Sequence, residues 1–240
     1  MKTILTLSAR LFLFVLFVSS VSSCKKDDTS VTETCRTISQ FVDMPGNPFY
    51  MTYYFDEQDR VTAILGKQSY AYITYIGDSA VYKEYELNGT LDQTFTLKTD
   101  AAGRFITSGN AVLEYNASGQ LTKITRPSVE ITYTWVDGNI TKDQIRQGGV
   151  LTSSTNYTYF TEYENKAHWD YSNIGIDCFY GRATKNLLKK ALTTDEINHV
   201  ISNEANFTYT RNEKGLPVVL NLQLVNSGTF YNYQYNYECN

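Results

Sequence analysis

At four places in the chain an alternating run halts at Asp or Asn, crosses two variable residues and usually a Gly, and begins again. The copies are Asp56-Glu57-Gln58-Asp59-Arg60-Val61, Asp100-Ala101-Ala102-Gly103-Arg104-Phe105, Asn116-Ala117-Ser118-Gly119-Gln120-Leu121 and Asn212-Glu213-Lys214-Gly215-Leu216-Pro217. An Asp or Asn side chain in such a loop bonds the backbone two residues on, and Gly takes the left-handed conformation that other residues enter only at a cost. Each copy is therefore a reversal between two strands. Val136-Asp137-Gly138-Asn139-Ile140 reads as a contracted fifth, and Asn88-Gly89, Gly148-Gly149 and Ser227-Gly228 add further hairpin turns. No βαβ rhythm is visible between them, so adjacent strands are expected to be antiparallel neighbours.

The clearest strands are Phe49 to Phe55, Ser69 to Tyr75, Tyr82 to Leu87, Ile131 to Trp135, Asn156 to Tyr163 and Tyr231 to Tyr237. In the last, Tyr231, Tyr233, Tyr235 and Tyr237 share one face and Asn232, Gln234, Asn236 and Glu238 the other. The chain holds 20 Tyr among 240 residues, and Tyr suits strands whose faces are half wet. About fourteen strands would leave long exposed edges unless the sheet closes or splits into two layers. Charges such as Lys83, Glu84, Glu86, Lys123, Arg126, Glu162, Glu164 and Lys166 are scattered through them, where a membrane barrel needs an apolar lipid face. The expected fold is an all-β antiparallel meander of many short strands, curled into a closed or partly closed soluble barrel. Residues 182–202 depart from alternation: Leu187, Leu188, Ala191 and Leu192 have helical spacing, which predicts one or two short helices near 184–202.

Lys2 and Arg10 precede the apolar run Leu11 to Val18, which ends in Val21-Ser22-Ser23-Cys24. The run is too short to span a bilayer and reads as a signal peptide over residues 1–23. Its end resembles the lipobox of bacterial lipoproteins, which implies lipidation of Cys24. Residues 24–35 then form the lipidated cysteine and a flexible tether, and 36–240 a single all-β domain. Lys25-Lys26-Asp27-Asp28 resembles the export signal of Bacteroidetes-type lipoproteins, which implies an outer-membrane lipid anchor exposed at the cell surface. The membrane is thus a partner through the anchor alone.

The Asx-x-x-Gly units resemble the YD repeats of Rhs-type proteins. Together with the lipobox, the Tyr-x-Tyr strands, Thr184-Lys185-Asn186-Leu187 and the unit Asn212 to Pro217, they make residues 36 to 239 similar to a family of uncharacterised Bacteroidetes lipoproteins with a porin-like fold. The resemblance implies fold and location and no mechanism. Asp59 departs from it by replacing Gly in the first unit. Asp78-Ser79-Ala80 resembles the pattern at which exported proteins of these bacteria are O-glycosylated.

A formal net charge of -4 offers no basic field for phosphate backbones, so nucleic acid is excluded as a partner. With Cys24 lipidated, Cys35, Cys178 and Cys239 remain. Pairing Cys35 with Cys239 would tie the first strand to the last, closing a loop worth roughly 4 to 5 kcal/mol on the chain-entropy model. Pairs involving Cys178, or three thiols, stay open. His168 and His199 have no ligand partners at useful spacing, so no metal or other cofactor is called for, and Cys178 has no nucleophile context. Glu162, Glu164, Asp170 and Asp177 are the densest carboxylate group, the kind glycoside hydrolysis requires. Trp135, Tyr157, Tyr159, Trp169, Tyr171 and Tyr180 are candidate sugar-stacking rings. The reading favoured is a noncatalytic binding module for a glycan, a peptide or an envelope protein. The alternative is a surface hydrolase using the four carboxylates.

Overall fold

The computed structural model describes residues 35–58, 60–166 and 183–239. They form sixteen strands: β1 (Cys35–Asp43), β2 (Phe49–Phe55), β3 (Val61–Leu65), β4 (Ser69–Ile76), β5 (Ser79–Glu86), β6 (Leu91–Thr99), β7 (Phe105–Ser108), β8 (Ala111–Tyr115), β9 (Leu121–Thr125), β10 (Val129–Val136), β11 (Asn139–Gln147), β12 (Val150–Glu164), β13 (Asn186–Asp195), β14 (Val200–Arg211), β15 (Pro217–Leu224) and β16 (Thr229–Cys239). Each pairs antiparallel with its sequence neighbours, and β1 pairs with β16, so the sheet closes into a barrel with no free edge.

Register separates the inside from the outside. Across β1 and β16, Gln40 faces Tyr235 and Val42 faces Tyr233, and the row continues through Leu220 to Tyr209. Gln40, Val42, Leu220 and Tyr235 are buried, so the tyrosine face of β16 lines the interior. Its other face, Asn232, Gln234, Asn236 and Glu238, points outward. Apolar residues of the interior gather in three clusters along the wall, under β13–β16, under β3–β7 and under β8–β9.

The expected helices are absent among the described residues. Asn186–Asp195 and Val200–Arg211 are strands. The helix-like spacing arises at a β-bulge, where register slips between Thr158 and Tyr159 opposite Lys190 and Leu188. The slip leaves Lys189 as the extra residue, so Leu188 and Ala191, three positions apart, both face inward and are buried. The segment after it is a turn: Asp195 accepts hydrogen bonds from the amides of Ile197 and Asn198. The soluble half of the expectation is also corrected. Sixteen antiparallel strands closed without an edge is a size at which membrane barrels enclose a channel, so closure gives no support to a soluble barrel.

The meander gives the barrel two unlike rims. The chain enters β1 at one of them, the proximal rim, and the even-numbered strands end there. The connections leaving odd-numbered strands form the distal rim.

Candidate functional site

The repeated loops all lie on the proximal rim and share one hydrogen-bond pattern. In each, the first residue's amide donates to the carbonyl four residues on: Asp56 to Arg60, Asp100 to Arg104, Asn116 to Gln120 and Asn212 to Leu216. The side-chain Oδ1 of the same Asp or Asn accepts from two later amides, for instance those of Ala102 and Arg104 in the loop of Asp100. Gly103, Gly119 and Gly215 take positive φ where the loop turns back. In two copies an Arg closes the arrangement. Arg60 and Arg104 donate through Nε to Asp56 and Asp100 at 2.8 Å and lie over the rings of Tyr75 and Tyr115. Burial pulls both carboxyls upward in pKa, but hydrogen bonds from the arginine and the loop amides outweigh it and leave Asp56 and Asp100 below the usual carboxylate range.

The strand after each loop is latched by an aromatic side chain on the next strand. Tyr75 donates to the carbonyl of Val61, Tyr115 to Phe105, Trp135 to Leu121, Tyr159 to Ile140 and Tyr237 to Pro217, at 2.7 to 3.1 Å. The contracted fifth loop is tied to β13 by a reciprocal pair, Asn139 Nδ2 to Asn186 Oδ1 and the Asn186 amide to Asn139 Oδ1. Cys35 and Cys239, directly opposite in register, are joined by a disulfide on this same rim.

Inside the wall, Asp143 on β11 is buried and accepts a hydrogen bond from Tyr157 on β12. Burial raises its pKa, partly offset by the hydrogen bonds of Tyr157 and Thr155. The same burial, with the carboxylate beside it, pushes the Tyr157 phenol upward. Nearer the distal rim, Glu84 accepts from Ser69, Tyr82 and Gln93. The Ser69 bond does most to hold its pKa down.

The outer face is uneven. On β10 to β16 the outward rows are polar and charged: Glu130 opposite Arg146, Lys142 opposite Asn156, Lys190 opposite Asn206, and Asn221 opposite Asn232. On β1, β2, β4 and β5 they also carry aromatic rings. Tyr70 and Tyr85 stack with ring centroids 5.3 Å apart, and Tyr72 meets both edge-on. Tyr54 and Tyr72 flank Ala63 in one outward row, which runs on to Lys83 and Thr94. Phe41 packs against Tyr50 at 4.5 Å. Tyr50, Tyr54 and Tyr72 are each at least half exposed.

Among the described residues, those singled out from sequence do not converge on one site. Trp135 and Tyr159 are latches, and Tyr157 is the partner of Asp143. Glu162 and Glu164 are exposed on the proximal part of β12. Cys24, His168, Trp169, Asp170, Tyr171, Asp177, Cys178 and Tyr180 lie outside the described residues. His199 sits in the distal β13–β14 turn with a positive φ. Ser79 donates to Asp78 on the proximal β4–β5 turn, and Ala80 is buried. Among the described residues no group of three or more His, Cys, Asp or Glu is placed to hold a metal ion. Sequence reading missed Asp143, whose signal is its place two residues before Ile145 on the inward face of β11. It also missed the outer tyrosines of β2, β4 and β5, because alternation marks faces without saying which is inside.

No family model matches the chain, and no curated protein matches it. Among solved structures it is similar to a porin-like protein from Bacteroides uniformis, with a TM-score of 0.63 and 14% identity over 84% of this chain and 98% of that one. It is also similar to a porin-like protein from Bacteroides vulgatus, with a TM-score of 0.59 and 11% identity over 85% of this chain and 98% of that one. At such identity the likeness is one of fold.

Proposed function

We propose that this chain is a lipid-anchored outer-membrane protein facing the cell surface, and that its barrel is a noncatalytic module that binds glycan through the outer wall of β2 to β5. The observation that carries the glycan reading is the outward cluster of Tyr70, Tyr72 and Tyr85, in which Tyr72 is exposed and the other two rings are half-buried. Flat phenol rings stack on the apolar faces of sugars. In the adjoining outward rows, Thr52, Lys83 and Thr94 supply hydrogen-bonding groups of the kind hydroxyls need. The exposed setting of Glu162 and Glu164 on β12 supports binding over hydrolysis, because glycoside cleavage needs two carboxyls facing one bond.

Anchoring rests on the lipobox ending in Cys24, and two or more acyl chains would suffice for stable attachment. Metabolic labelling with a clickable fatty acid tests it: the parent chain takes up label and Cys24→Ala does not. Binding is tested by titrating purified full-length protein with envelope polysaccharides. Tyr72→Ala and Tyr70→Ala are expected to weaken binding at least several-fold with the fold intact. A parent protein that binds none of them overturns the glycan reading and leaves the anchor standing.

A further inference from the structure

The two rims differ in chemistry as sharply as the two sides of the wall. The proximal rim is built from Asp–Arg pairs, Asx loops and a disulfide. On the distal rim, every hairpin except β9–β10 carries a large exposed apolar residue on or beside its turn. Leu65, Leu87, Val112, Val150, Ile197 and Phe230 are 37 to 65% exposed, and Tyr50, 66% exposed, is the second residue of β2 on the same rim. The proximal half contributes few residues of this kind, Ile76 and Val136 at its edge and Tyr54 just above it. Side chains that size, set on seven of the eight distal hairpins and turned to water, are not the surface of a protein that leaves this end unused.

We propose that the distal rim is a crown that dips its hairpin tips into a lipid bilayer, so that the barrel stands on the membrane by the end opposite its N-terminal entry. A bilayer is favoured as the occupant because isolated tips on separate hairpins need a soft apolar medium, whereas a rigid partner would have to match every tip. It is also favoured by the chain that precedes β1. The inference rests on the anchor reading at this point: the residues from Cys24 to Cys35 reach about 40 Å when extended, and the nine residues of β1 rise only about 30 Å. A lipid on Cys24 can therefore enter the bilayer under either rim. The anchor chooses the membrane, and the apolar tips choose the end that meets it. Tyr50, near the start of β2, then stands beside the tips, at the headgroup level where tyrosine is preferred.

The test uses the full chain reconstituted into phosphatidylcholine vesicles with brominated acyl chains, which quench tryptophan on contact. Leu87→Trp and Phe230→Trp place probes on the crown, Val136→Trp places one on the proximal rim, and each signal is read as the difference from the parent, which subtracts Trp135 and Trp169. The expected result is a blue-shifted emission for the two crown probes, mostly lost on bromination, with the Val136 probe unchanged. Quenching of the Val136 probe instead, or of neither, overturns the proposal. So does a crown that is unquenched while cysteines at Leu87 and Phe230 cross-link two copies, since the occupant is then a second barrel. Fatty-acid labelling of each variant reports the anchor separately, so a chain that carries lipid yet shows no crown quenching sinks this inference alone.

Discussion

The phenol of Tyr115, at the end of β8, donates a 2.7 Å hydrogen bond to the backbone carbonyl of Phe105, the first residue of β7. Phe105 is buried, so the bond satisfies a carbonyl at the point where the chain leaves the Asp100 loop. Four other hairpins repeat the device with Tyr75, Trp135, Tyr159 and Tyr237. Five aromatic side chains thus close strand ends at one rim.

Tyr115→Phe removes only this donor and leaves the ring under Arg104. Losing one hydrogen bond to this carbonyl costs about 1 kcal/mol, and that loss is expected in equilibrium denaturation. Tyr70→Phe, on the outer wall, is the control and should stay close to the parent. Equal effects for the two would show that the latch contributes nothing.

Gly103 tests the loops in isolation. Its φ is +78° and a Cβ there would meet nothing within 4 Å, so Gly103→Ala carries backbone strain without a clash. The expected cost is about 1–2 kcal/mol. At Gly119 the added carbon would also press on the Arg104 guanidinium at 2.9 Å, so Gly119→Ala should cost at least as much. Thermal melts of the two variants, run side by side, give the order.

The Cys35–Cys239 bond spans 204 residues, and in the chain-entropy model a loop of that length is worth up to about 5 kcal/mol. Reduction, or Cys35→Ala with Cys239→Ala, should lower the denaturation midpoint strongly. Because β1 and β16 also pair along their length, the barrel is expected to remain closed in the reduced protein. Hydrogen exchange of the β1 and β16 amides distinguishes loss of stability from opening of the seam.

The features readable from sequence are those with a local cause. Period-two alternation and the Asx-x-x-Gly loops specify hairpins residue by residue, so the meander and its reversals were legible. Burial direction is a global property. Tyr235 and Tyr85 sit in similar alternating runs, yet one is inside and the other outside, because only the closed register decides. Leu188 and Ala191 misled for a related reason, since a bulge with one extra residue puts positions three apart on one face and imitates a helical stripe. The outer tyrosines and the apolar distal tips emerge only when sixteen strands are brought into one wall, and none carries a motif of its own.

Asp143 gives the fold a pH dependence whose sign follows from its burial. Its pKa in the folded protein lies above the ordinary aspartate value, while in the unfolded chain it titrates normally. Between those two values the folded state binds more protons than the unfolded one, so stability falls as pH rises through that window and stays lower above it. Asp56 and Asp100 act in the opposite sense. Their pKa values are depressed, so their contribution is present above the ordinary value and lost as pH drops through the folded one. Asp143→Asn keeps an acceptor for the Tyr157 hydroxyl and removes the buried charge. It is expected to match or exceed the parent's stability at neutral pH and to abolish the decline on leaving mild acid. Asp100→Asn should instead flatten the loss at low pH and cost stability at neutral pH. Melting temperatures of the three proteins across pH 3 to 8 decide the matter, and an Asp143→Asn curve that runs parallel to the parent's would show that this carboxyl is not the source.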